Sequence, residues 1–455
     1  LSGWFPRRAA EFIRNQNLPG EVFNTYSEGG YLLWALGPER RDYIDGQETP
    51  FGTLLQHEAD MRSAPLDSEA WQKEADRYGI NTIIFPLTMD EVSLARLNAD
   101  CRSRQWRPVY FDEVSIVFVR RTPATEDLIR RFEVDCATAP LPRDPLPLNA
   151  ASFNQWIDAA RILSALGRNS EALSAVDKAM TIFPDNAHAH WYRGQILYAL
   201  QRQSDAEEEW RRALALAPRE ITPWASLPDF QATLWSSLAE LYRRQERTPD
   251  AIQALQNVIK LSSDSSLKLQ SMADLGALYL AEGQDSDAEK QWLAAISLAP
   301  KEASIWFSLA DLYQRQGHFP QAIHAAQQAA QFAPDATAKS QALMKLALLY
   351  LRTHQPQQAL KALDQVASTA PSDLLAATGR RSFSFDLAQA RAAAYMALGN
   401  IPQATLFEEQ AVKLDPDAPD AWVHLARLYQ RGGRLADQQL AERRASALQN
   451  APGQQ

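Results

Sequence analysis

The stretch that decides the fold is residues 306–334, WFSLADLYQRQGHFPQAIHAAQQAAQFAP. Its apolar side chains recur at helical spacing on both sides of Gly317, which predicts two amphipathic helices joined by a tight turn. The small side chains of Ala322 and Ala329 let two helices approach closely, and Pro334 closes the unit. Two helices of this length cannot bury their apolar faces alone, so the sequence predicts neighbours of the same kind.

The same pattern recurs from about Phe153 onward. An Ala and a Pro twelve residues apart mark six units, and a Tyr or Leu stands nine residues before the Ala. We count eight units, separated by 34, 37 or 45 residues. The two long spacings imply insertions within Arg219–Phe230 and Ser372–Phe385, which we expect to lengthen a helix or project a loop. The leading positions of the units are 156, 190, 235, 272, 306, 343, 388 and 422.

This pattern resembles the tetratricopeptide repeat (TPR), whose 34-residue unit carries a large residue, Leu, Gly or Ala, Tyr, Ala, an aromatic residue, Ala and Pro in that order. The resemblance covers about two thirds of the chain. It implies an α-helical solenoid of about eight units in a right-handed superhelix, with the first helix of each unit on the inner surface. One of the best matches reads Met272, Leu275, Gly276, Tyr279, Gly283, Ala288, Trp292, Ala295 and Pro300.

The first part of the chain lacks the repeat and alternates short β-type runs with helical patterns, which favours a small α/β domain with a partly parallel sheet. We predict that the last two strands form an antiparallel hairpin. The predicted domains are an α/β domain at 1–136, a Pro-rich linker at 137–150 and the solenoid at 151–451. The predicted strands are Glu21–Thr25, Asp42–Asp45, Asn81–Phe85, Pro108–Phe111 and Ser115–Val119, and the helices are Arg7–Asn15, Gly30–Leu36, Ser68–Tyr78, Met89–Ser103 and Pro123–Arg131.

Residues 20–46, GEVFNTYSEGGYLLWALGPERRDYIDG, resemble a segment that follows the last membrane helices of bacterial integral-membrane glycosyltransferase-like proteins. In that family, catalysis is attributed to acidic residues on loops between membrane helices, so the resemblance transfers no catalytic residue to this chain. It implies the soluble tail of a larger membrane protein on the extracytoplasmic, periplasmic face of a bacterial membrane. A cytoplasmic location is the alternative. Because the sequence begins at Leu1, we expect a fragment or a processed product.

Composition narrows the classes of function. The formal net charge of −9 argues against bulk nucleic-acid binding, and two Cys in 455 residues exclude a four-cysteine zinc site. No run of 18 apolar residues is present, so we predict no transmembrane helix. We expect Cys101 and Cys136 to be buried free thiols. Pairing of the two in an oxidising compartment is the alternative.

Few residues carry a signal for chemistry. His57-Glu58-x-Asp60 lacks the spacing of a zinc motif, and we interpret it as a solvated helix start or loop. Gly29 and Gly30 could offer backbone N–H groups to an anion, and Asp45 could bind a cation or a sugar hydroxyl, although a helix start and a turn explain these residues as well. Glu28 is a further candidate for ligand binding in this region. The sequence shows no recognisable Ser/His/Asp or Cys/His motif for nucleophilic catalysis. We therefore predict no catalytic residue, no metal site and no cofactor.

The first helices of the solenoid carry the strongest binding signal. The carboxylate clamp known for TPR proteins needs Lys and Asn at inner positions, and this chain has neither there. Aromatic side chains and Met stand there instead, which predicts a groove for an apolar peptide segment or a partner helix. The alternative is that neighbouring units or the insertions cover some of them. The groove candidates are Trp191, Gln195, Tyr198, Arg243, Phe307, Asp311, Met344 and Leu348.

The favoured function is a non-catalytic protein-interaction scaffold that belongs to a membrane-anchored glycosyltransferase-like or envelope-assembly protein. A second hypothesis is that the α/β domain binds a sugar or lipid-linked sugar and completes the active site of a membrane glycosyltransferase. A third is a subunit of an envelope complex unrelated to sugars.

Overall fold

The computed structural model describes residues 5–37, 43–44, 53–88, 91–217, 227–376 and 382–449. These residues fall into two compact units, 1–241 and 242–455, and each unit is described by itself.

The first unit begins with a small α/β region. Its four strands are arranged in the order β1-β2-β4-β3. β1 runs parallel to β2, whereas β4 is antiparallel to both of its neighbours, β2 and β3. The predicted α/β class, the partly parallel sheet and the closing hairpin are therefore confirmed. The elements are α1 (Arg7–Asn15), β1 (Glu21–Phe23), α2 (Tyr26–Leu36), α3 (Thr53–Ser63), α4 (Glu69–Tyr78), β2 (Ile80–Pro86), α5 (Glu91–Asp100), β3 (Trp106–Phe111), β4 (Ser115–Arg120) and α6 (Glu126–Phe132).

Helices cover both faces of this sheet. Side chains alternate along a strand, so Ile84 and Val117 face one layer while Phe85 and Phe118 face the other. The first layer also contains residues of α1, α2 and α6, and the second contains residues of α3, α4 and α5. The two central strands are buried on both faces, which explains why they lack a polar alternation.

Two details differ from the sequence-based expectation. The predicted strand Asp42–Asp45 is described only at Tyr43 and Ile44, which form no strand. Both residues are held instead by Asn24: its Oδ1 accepts from the Tyr43 N–H at 2.8 Å, and its Nδ2 donates to the Ile44 carbonyl at 2.8 Å. The helix Thr53–Ser63 was not predicted, because most of its residues are polar and give no clear apolar period.

Eight helix pairs follow the α/β region among the described residues. The helix bounds confirm the paired-helix solenoid. The long spacing before the third pair coincides with an 18-residue α11, and that before the seventh pair contains the short helix α19. The bounds are α7 (Phe153–Ala165), α8 (Asn169–Ile182), α9 (Ala187–Ala199), α10 (Gln203–Leu216), α11 (Leu227–Arg244), α12 (Thr248–Leu261), α13 (Ser265–Ala281), α14 (Asp285–Leu298), α15 (Ala303–Arg315), α16 (Phe319–Phe332), α17 (Ala336–Arg352), α18 (Pro356–Thr369), α19 (Ser372–Ala376), α20 (Phe383–Ala397), α21 (Ile401–Leu414), α22 (Pro419–Arg431) and α23 (Leu435–Gln449).

Small residues at the repeat positions allow the two helices of a pair to touch. The repeat Ala of the second helix, for example Ala288 or Ala322, is fully buried. In the fourth pair Gly276 lies directly under the indole of Trp292, whose Nε1 donates to the Ala273 carbonyl at 3.2 Å. The second pair repeats this arrangement with Gly194 and Trp210.

The leading residue of several units also makes a polar contact that the packing interpretation missed. The indole N–H of Trp306 donates to the Pro300 carbonyl at 2.9 Å, and that of Trp422 donates to the Pro416 carbonyl at 2.8 Å. Each bond satisfies a carbonyl in the loop between two units, where helical partners are absent. The large leading residue therefore fixes the loop as well as filling space.

Hydrogen bonds that involve the hydroxyl of the repeat Tyr connect successive units. The Tyr313 hydroxyl donates to Glu289 of the preceding unit at 2.7 Å. The Tyr350 hydroxyl accepts from Gln327 at 3.0 Å, again across a unit boundary. These bonds hold α15 and α17 in register with the second helix of the unit before each of them.

A disulfide joins Cys101, at the end of α5, to Cys136, at the start of the predicted linker. The expectation of two free thiols is therefore wrong. The alternative, pairing of the two cysteines across a sequence separation of 35 residues, describes the structure.

The segment after the disulfide is folded against its surroundings. Leu141 packs against both the α/β core and the first helix pair. Arg168, at the start of α8, donates to the Ala139 carbonyl at 2.6 Å, and Ile162 of α7 enters the α/β core. The predicted boundaries at 136, 150 and 451 stay predictions, but this segment packs on both neighbours within residues 1–241.

Candidate functional site

The second unit places an apolar and charged patch on two consecutive first helices. Phe307 and Asp311 lie one turn apart on α15, and Lys345 and Leu348 lie on α17. The Lys345 ammonium pairs with the Asp311 carboxylate, and its nitrogen lies 5.3 Å from the centroid of the Phe307 ring. We call these four residues the α15–α17 patch.

The charges of this patch are neutralised within it. The Lys345 side chain is 18% exposed, and burial lowers its pKa. The nearby Asp311 carboxylate and the face of the Phe307 ring both favour the cation. Because Lys345 is engaged in this way, the patch offers an outside ligand mainly apolar surface.

Leu348 is the open part of the patch. It is 46% exposed although it stands on a first helix whose other apolar residues are largely in the core. Met396, on the first helix α20 but at a different repeat position, is also exposed. Lys345 and Met396 were missed in the sequence reasoning. Met396 stands eight residues after a leading position, which is an inner position of the repeat, so the repeat alignment contained its signal. Lys345 stands two residues after one, which is not an inner position, so the alignment contained no signal for it.

The predicted groove residue Met344 is not part of the open surface. It is only 7% exposed and packs in the main core of the second unit. It immediately precedes Lys345 on α17, and the one-residue step turns its side chain by about 100° away from the patch. Arg243, at the end of α11, is exposed.

The three predicted groove residues of the first unit are largely engaged by neighbouring side chains. The Trp191 ring lies 4.6 Å from that of Tyr192 and 6.1 Å from that of Phe230, at the end of the first insertion. Gln195 donates to the Ser237 hydroxyl at 3.0 Å, and the Tyr198 ring packs 5.7 Å from Trp210. The alternative that an insertion covers part of the predicted groove therefore describes Trp191.

The candidate ligand residues of the α/β region are used inside the fold. Glu28 is buried and accepts hydrogen bonds from the hydroxyls of Thr25 and Ser27. Gly29 is buried next to it, whereas Gly30 is exposed. Asp45 lies outside the described residues. The Glu28 carboxylate is therefore occupied by two hydroxyls at the start of α2.

The His57-Glu58 segment is only partly solvated. His57 Nε2 lies 2.9 Å from Glu74, which also accepts from the Tyr43 hydroxyl. Burial and the Glu74 carboxylate raise the pKa of Tyr43 well above its usual range. Glu58 is buried beside Arg62, so the expectation of a solvated helix start is wrong for this residue. Within the described ranges, no group of three His, Cys, Asp or Glu side chains is arranged to hold a metal ion.

Family models of the tetratricopeptide repeat match four stretches of the chain: residues 157–221, 234–269, 303–336 and 341–373. The described residues of all four stretches lie on helix pairs of the structure. The helical array is a tetratricopeptide-repeat solenoid. The TPR resemblance of the sequence is thereby confirmed, and with it the assignment of α15 and α17 as first helices of consecutive repeats.

Two curated human proteins are similar to parts of this TPR chain. Protein O-mannosyl-transferase TMTC3 is 26% identical over 170 residues, which is 36% of this chain and 18% of that protein. Tetratricopeptide repeat protein 7B is 23% identical over 154 residues, which is 34% of this chain and 17% of that protein. The matched segments thus span less than a fifth of either relative.

Solved TPR structures resemble the chain at low sequence identity. The C-terminal part of a TPR repeat-containing protein from Cytophaga hutchinsonii is 12% identical, with a TM-score of 0.48, and covers 58% of this chain and 98% of that one. PilF of Pseudomonas aeruginosa is 18% identical, with a TM-score of 0.37, and covers 49% of this chain and 93% of that one. In the described part of the chain, no helix combines the length and the apolar character that crossing a membrane requires.

Proposed function

We propose that the unit formed by residues 242–455 binds an extended, largely apolar peptide segment of a partner protein across α15 and α17, and that the chain is a protein-interaction scaffold. The observation that carries this proposal is Leu348, a large apolar side chain left open on a first helix between buried neighbours. First helices of TPR arrays line the inner surface, where partner segments are held.

The chemistry of the patch defines the class of partner. Lys345 is neutralised by Asp311, so a terminal carboxylate of a ligand gains little from this cation. Phe307 and Leu348 offer apolar area, and each large side chain that becomes buried contributes about 1.5–3 kcal/mol. A peptide with alternating apolar side chains fits such a surface, because one of its faces can be buried while the other stays in water.

The cellular setting belongs to the same proposal. The chain acts as the extracytoplasmic tail of a membrane-anchored glycosyltransferase-like or envelope-assembly protein of a bacterium. Three observations support this setting. The disulfide Cys101–Cys136 fits an oxidising compartment. Residues 20–46 resemble a segment of bacterial integral-membrane glycosyltransferase-like proteins, and part of the chain is similar to a protein named as an O-mannosyl-transferase.

The internal bonding of the α/β region favours a scaffold over a sugar-binding part. The Glu28 carboxylate accepts hydrogen bonds from the hydroxyls of Thr25 and Ser27. Both polar atoms of the Asn24 carboxamide make hydrogen bonds to the backbone of residues 43–44. A sugar hydroxyl would have to displace these buried bonds, and leaving a buried polar group unpaired costs about 1–3 kcal/mol.

Peptide binding by the full chain tests the proposal. The probes are two fluorescently labelled peptides of equal length, one alternating Leu and Ser and the other alternating Asp and Ser, and the readout is fluorescence anisotropy. We expect the Leu-containing peptide to bind and the Asp-containing peptide not to bind. Leu348→Ala should weaken binding about tenfold, because the contribution of one large apolar side chain is lost.

A matched control is available on the second helix of a repeat. Leu293 of α14 has the same exposure of 46% as Leu348, and Leu293→Ala should leave the affinity unchanged. Equal loss in both variants, or preferred binding of the Asp-containing peptide, would show that the patch is not a peptide site.

A further inference from the structure

The α/β region carries a second exposed feature, far along the sequence from the α15–α17 patch. Trp34 on α2 is 79% exposed, the largest exposed fraction among the large hydrophobic side chains of the described residues. Its ring lies 6.0 Å from that of Tyr31, which in turn stacks on Phe5 at 5.1 Å. We call Phe5, Tyr31 and Trp34 the aromatic face.

The high exposure of Trp34 requires a physical explanation. An indole ring is among the largest apolar surfaces that a side chain offers, and monomeric proteins usually bury most of it. The ring contact of Trp34 within the described residues is a tilted one with Tyr31, and the core beneath α2 is formed by Leu32, which is fully buried. The position of Trp34 is therefore better suited to contact with something outside the described fold.

Basic side chains of α1 border the aromatic face. Arg14 reaches the Ala35 carbonyl at 3.4 Å, which places its guanidinium beside the turn of α2 that carries Trp34. Arg7 is 71% exposed and pairs only at the surface with Glu11, one turn away. Burial raises the pKa of the Tyr31 hydroxyl, and the charges of Arg7 and Arg14 act in the opposite direction, so both cations lie near this ring.

We infer that the aromatic face, with Arg7 and Arg14 beside it, docks on the headgroup layer of an anionic lipid bilayer. Trp and Tyr prefer the boundary between water and lipid, because their rings are apolar and their N–H and O–H groups stay hydrated. Arginine next to them adds attraction to lipid phosphate and to the negative surface of the bilayer.

The charge of α1 favours lipid over a protein partner. Arg8 of this helix is paired with Glu113 and Asp144, so Arg7, Glu11 and Arg14 are the α1 charges beside the aromatic face. They leave one net positive charge there, on a chain whose net charge is −9. Exposed aromatic rings with two arginines beside them match an anionic surface. This inference concerns α1 and α2 and does not depend on peptide binding by the second unit.

Vesicle co-sedimentation of the full chain tests the inference. The probes are phosphatidylcholine vesicles with and without phosphatidylglycerol. We expect binding to the anionic vesicles only, weakened by added salt. Trp34→Ala should reduce the partition coefficient about tenfold, and the double variant Arg7→Gln, Arg14→Gln should remove the preference for phosphatidylglycerol.

The matched control is Leu440→Ala, which removes a 66% exposed apolar side chain from α23 and should change partitioning less than twofold. Leu348→Ala should also leave vesicle binding intact, so failure of the peptide site and failure of the lipid site are distinguishable. The inference is overturned if wild type does not bind anionic vesicles or if Trp34→Ala binds them equally. It is also overturned if Trp34→Ala instead abolishes self-association in sedimentation velocity, because the face would then be a protein contact.

Discussion

At the scale of single residues, the solenoid depends on pairs in which one residue must be small because its partner is large. A Cβ atom on Gly276 would lie 2.7 Å from Cδ1 of Trp292, closer than real atoms approach. The indole cannot move away without breaking its hydrogen bond to the Ala273 carbonyl. The glycine in the repeat pattern is therefore a consequence of the tryptophan in the following helix.

Gly276→Ala should consequently lower the stability of the second unit by about 1–3 kcal/mol, measured as a shift of the urea midpoint. The control is Gly30→Ala, at a helix position with no neighbouring atom within 4 Å. That change should be neutral or stabilise by about 0.5–1 kcal/mol, since Ala is the better helix former. If both substitutions stabilise the chain, the account of close packing is incorrect.

A second effect at this scale concerns protonation. Burial raises the pKa of Asp158 on α7 from 3.8 to about 7, although Arg161, 3.3 Å away, opposes the shift, and the charge of Glu113 adds to it. The folded state therefore favours the protonated form. Protonated Asp158 stabilises the folded state fully below about pH 4, and this contribution is lost as the pH rises towards 7.

Asp158→Asn should accordingly flatten the pH dependence of stability between pH 4 and 7 for the first unit. The measurement is the urea midpoint as a function of pH, followed by a probe within residues 1–241. A slope in the variant equal to that of wild type would contradict the assignment to Asp158. Tyr313 of the second unit does not contribute to this slope, because burial and the hydrogen bond to Glu289 raise its pKa to about 12, well above the range from pH 4 to 7.

At the scale of elements, the repeat allowed most of the fold to be predicted from sequence. Periodicity, the recurring Ala and the turn glycines located all eight helix pairs, since these signals are local. α3 was missed because most of its residues are polar and give no clear apolar period. The burial of Met344 was missed because two adjacent residues of one helix can face the core and the surface respectively. The position of a residue within the repeat does not show which of the two directions its side chain takes.

The candidate site was less predictable than the fold. Phe307, Asp311 and Leu348 do lie on consecutive first helices, as the repeat positions indicate. The ion pair between Lys345 and Asp311 depends on how two helices pack, and the cover on Trp191 depends on an insertion. Neither has a signature in local sequence, because both arise from contacts between separate elements.

The disulfide also belongs to this scale, because it ties α5 to the segment that leads into the first helix pair. Closing a loop of 35 residues restricts the unfolded chain and should stabilise the first unit by about 4 kcal/mol. The double variant Cys101→Ala, Cys136→Ala should show this loss in urea unfolding. Hydrogen exchange should place it within residues 1–241 and leave residues 242–455 unchanged. Loss of stability spread evenly over both units would contradict this account.

At the scale of the whole molecule, the chain combines two surfaces of different chemistry. The aromatic face, with Arg7 and Arg14 beside it, is proposed to dock on a lipid surface, while the neutralised, apolar α15–α17 patch is proposed to bind a peptide. Separate surfaces of this kind allow a scaffold to be positioned by one contact and to recruit a partner by the other.

The central claim is that a partner peptide lies across consecutive first helices of the second unit. Hydrogen–deuterium exchange of the full chain, with and without the alternating Leu and Ser peptide, tests it most directly. The account predicts slower exchange within Ala303–Arg315 and Ala336–Arg352 when the peptide is bound, and no change in Asp285–Leu298 or Phe319–Phe332. Protection confined to those second helices, or no protection at a saturating peptide concentration, would contradict it.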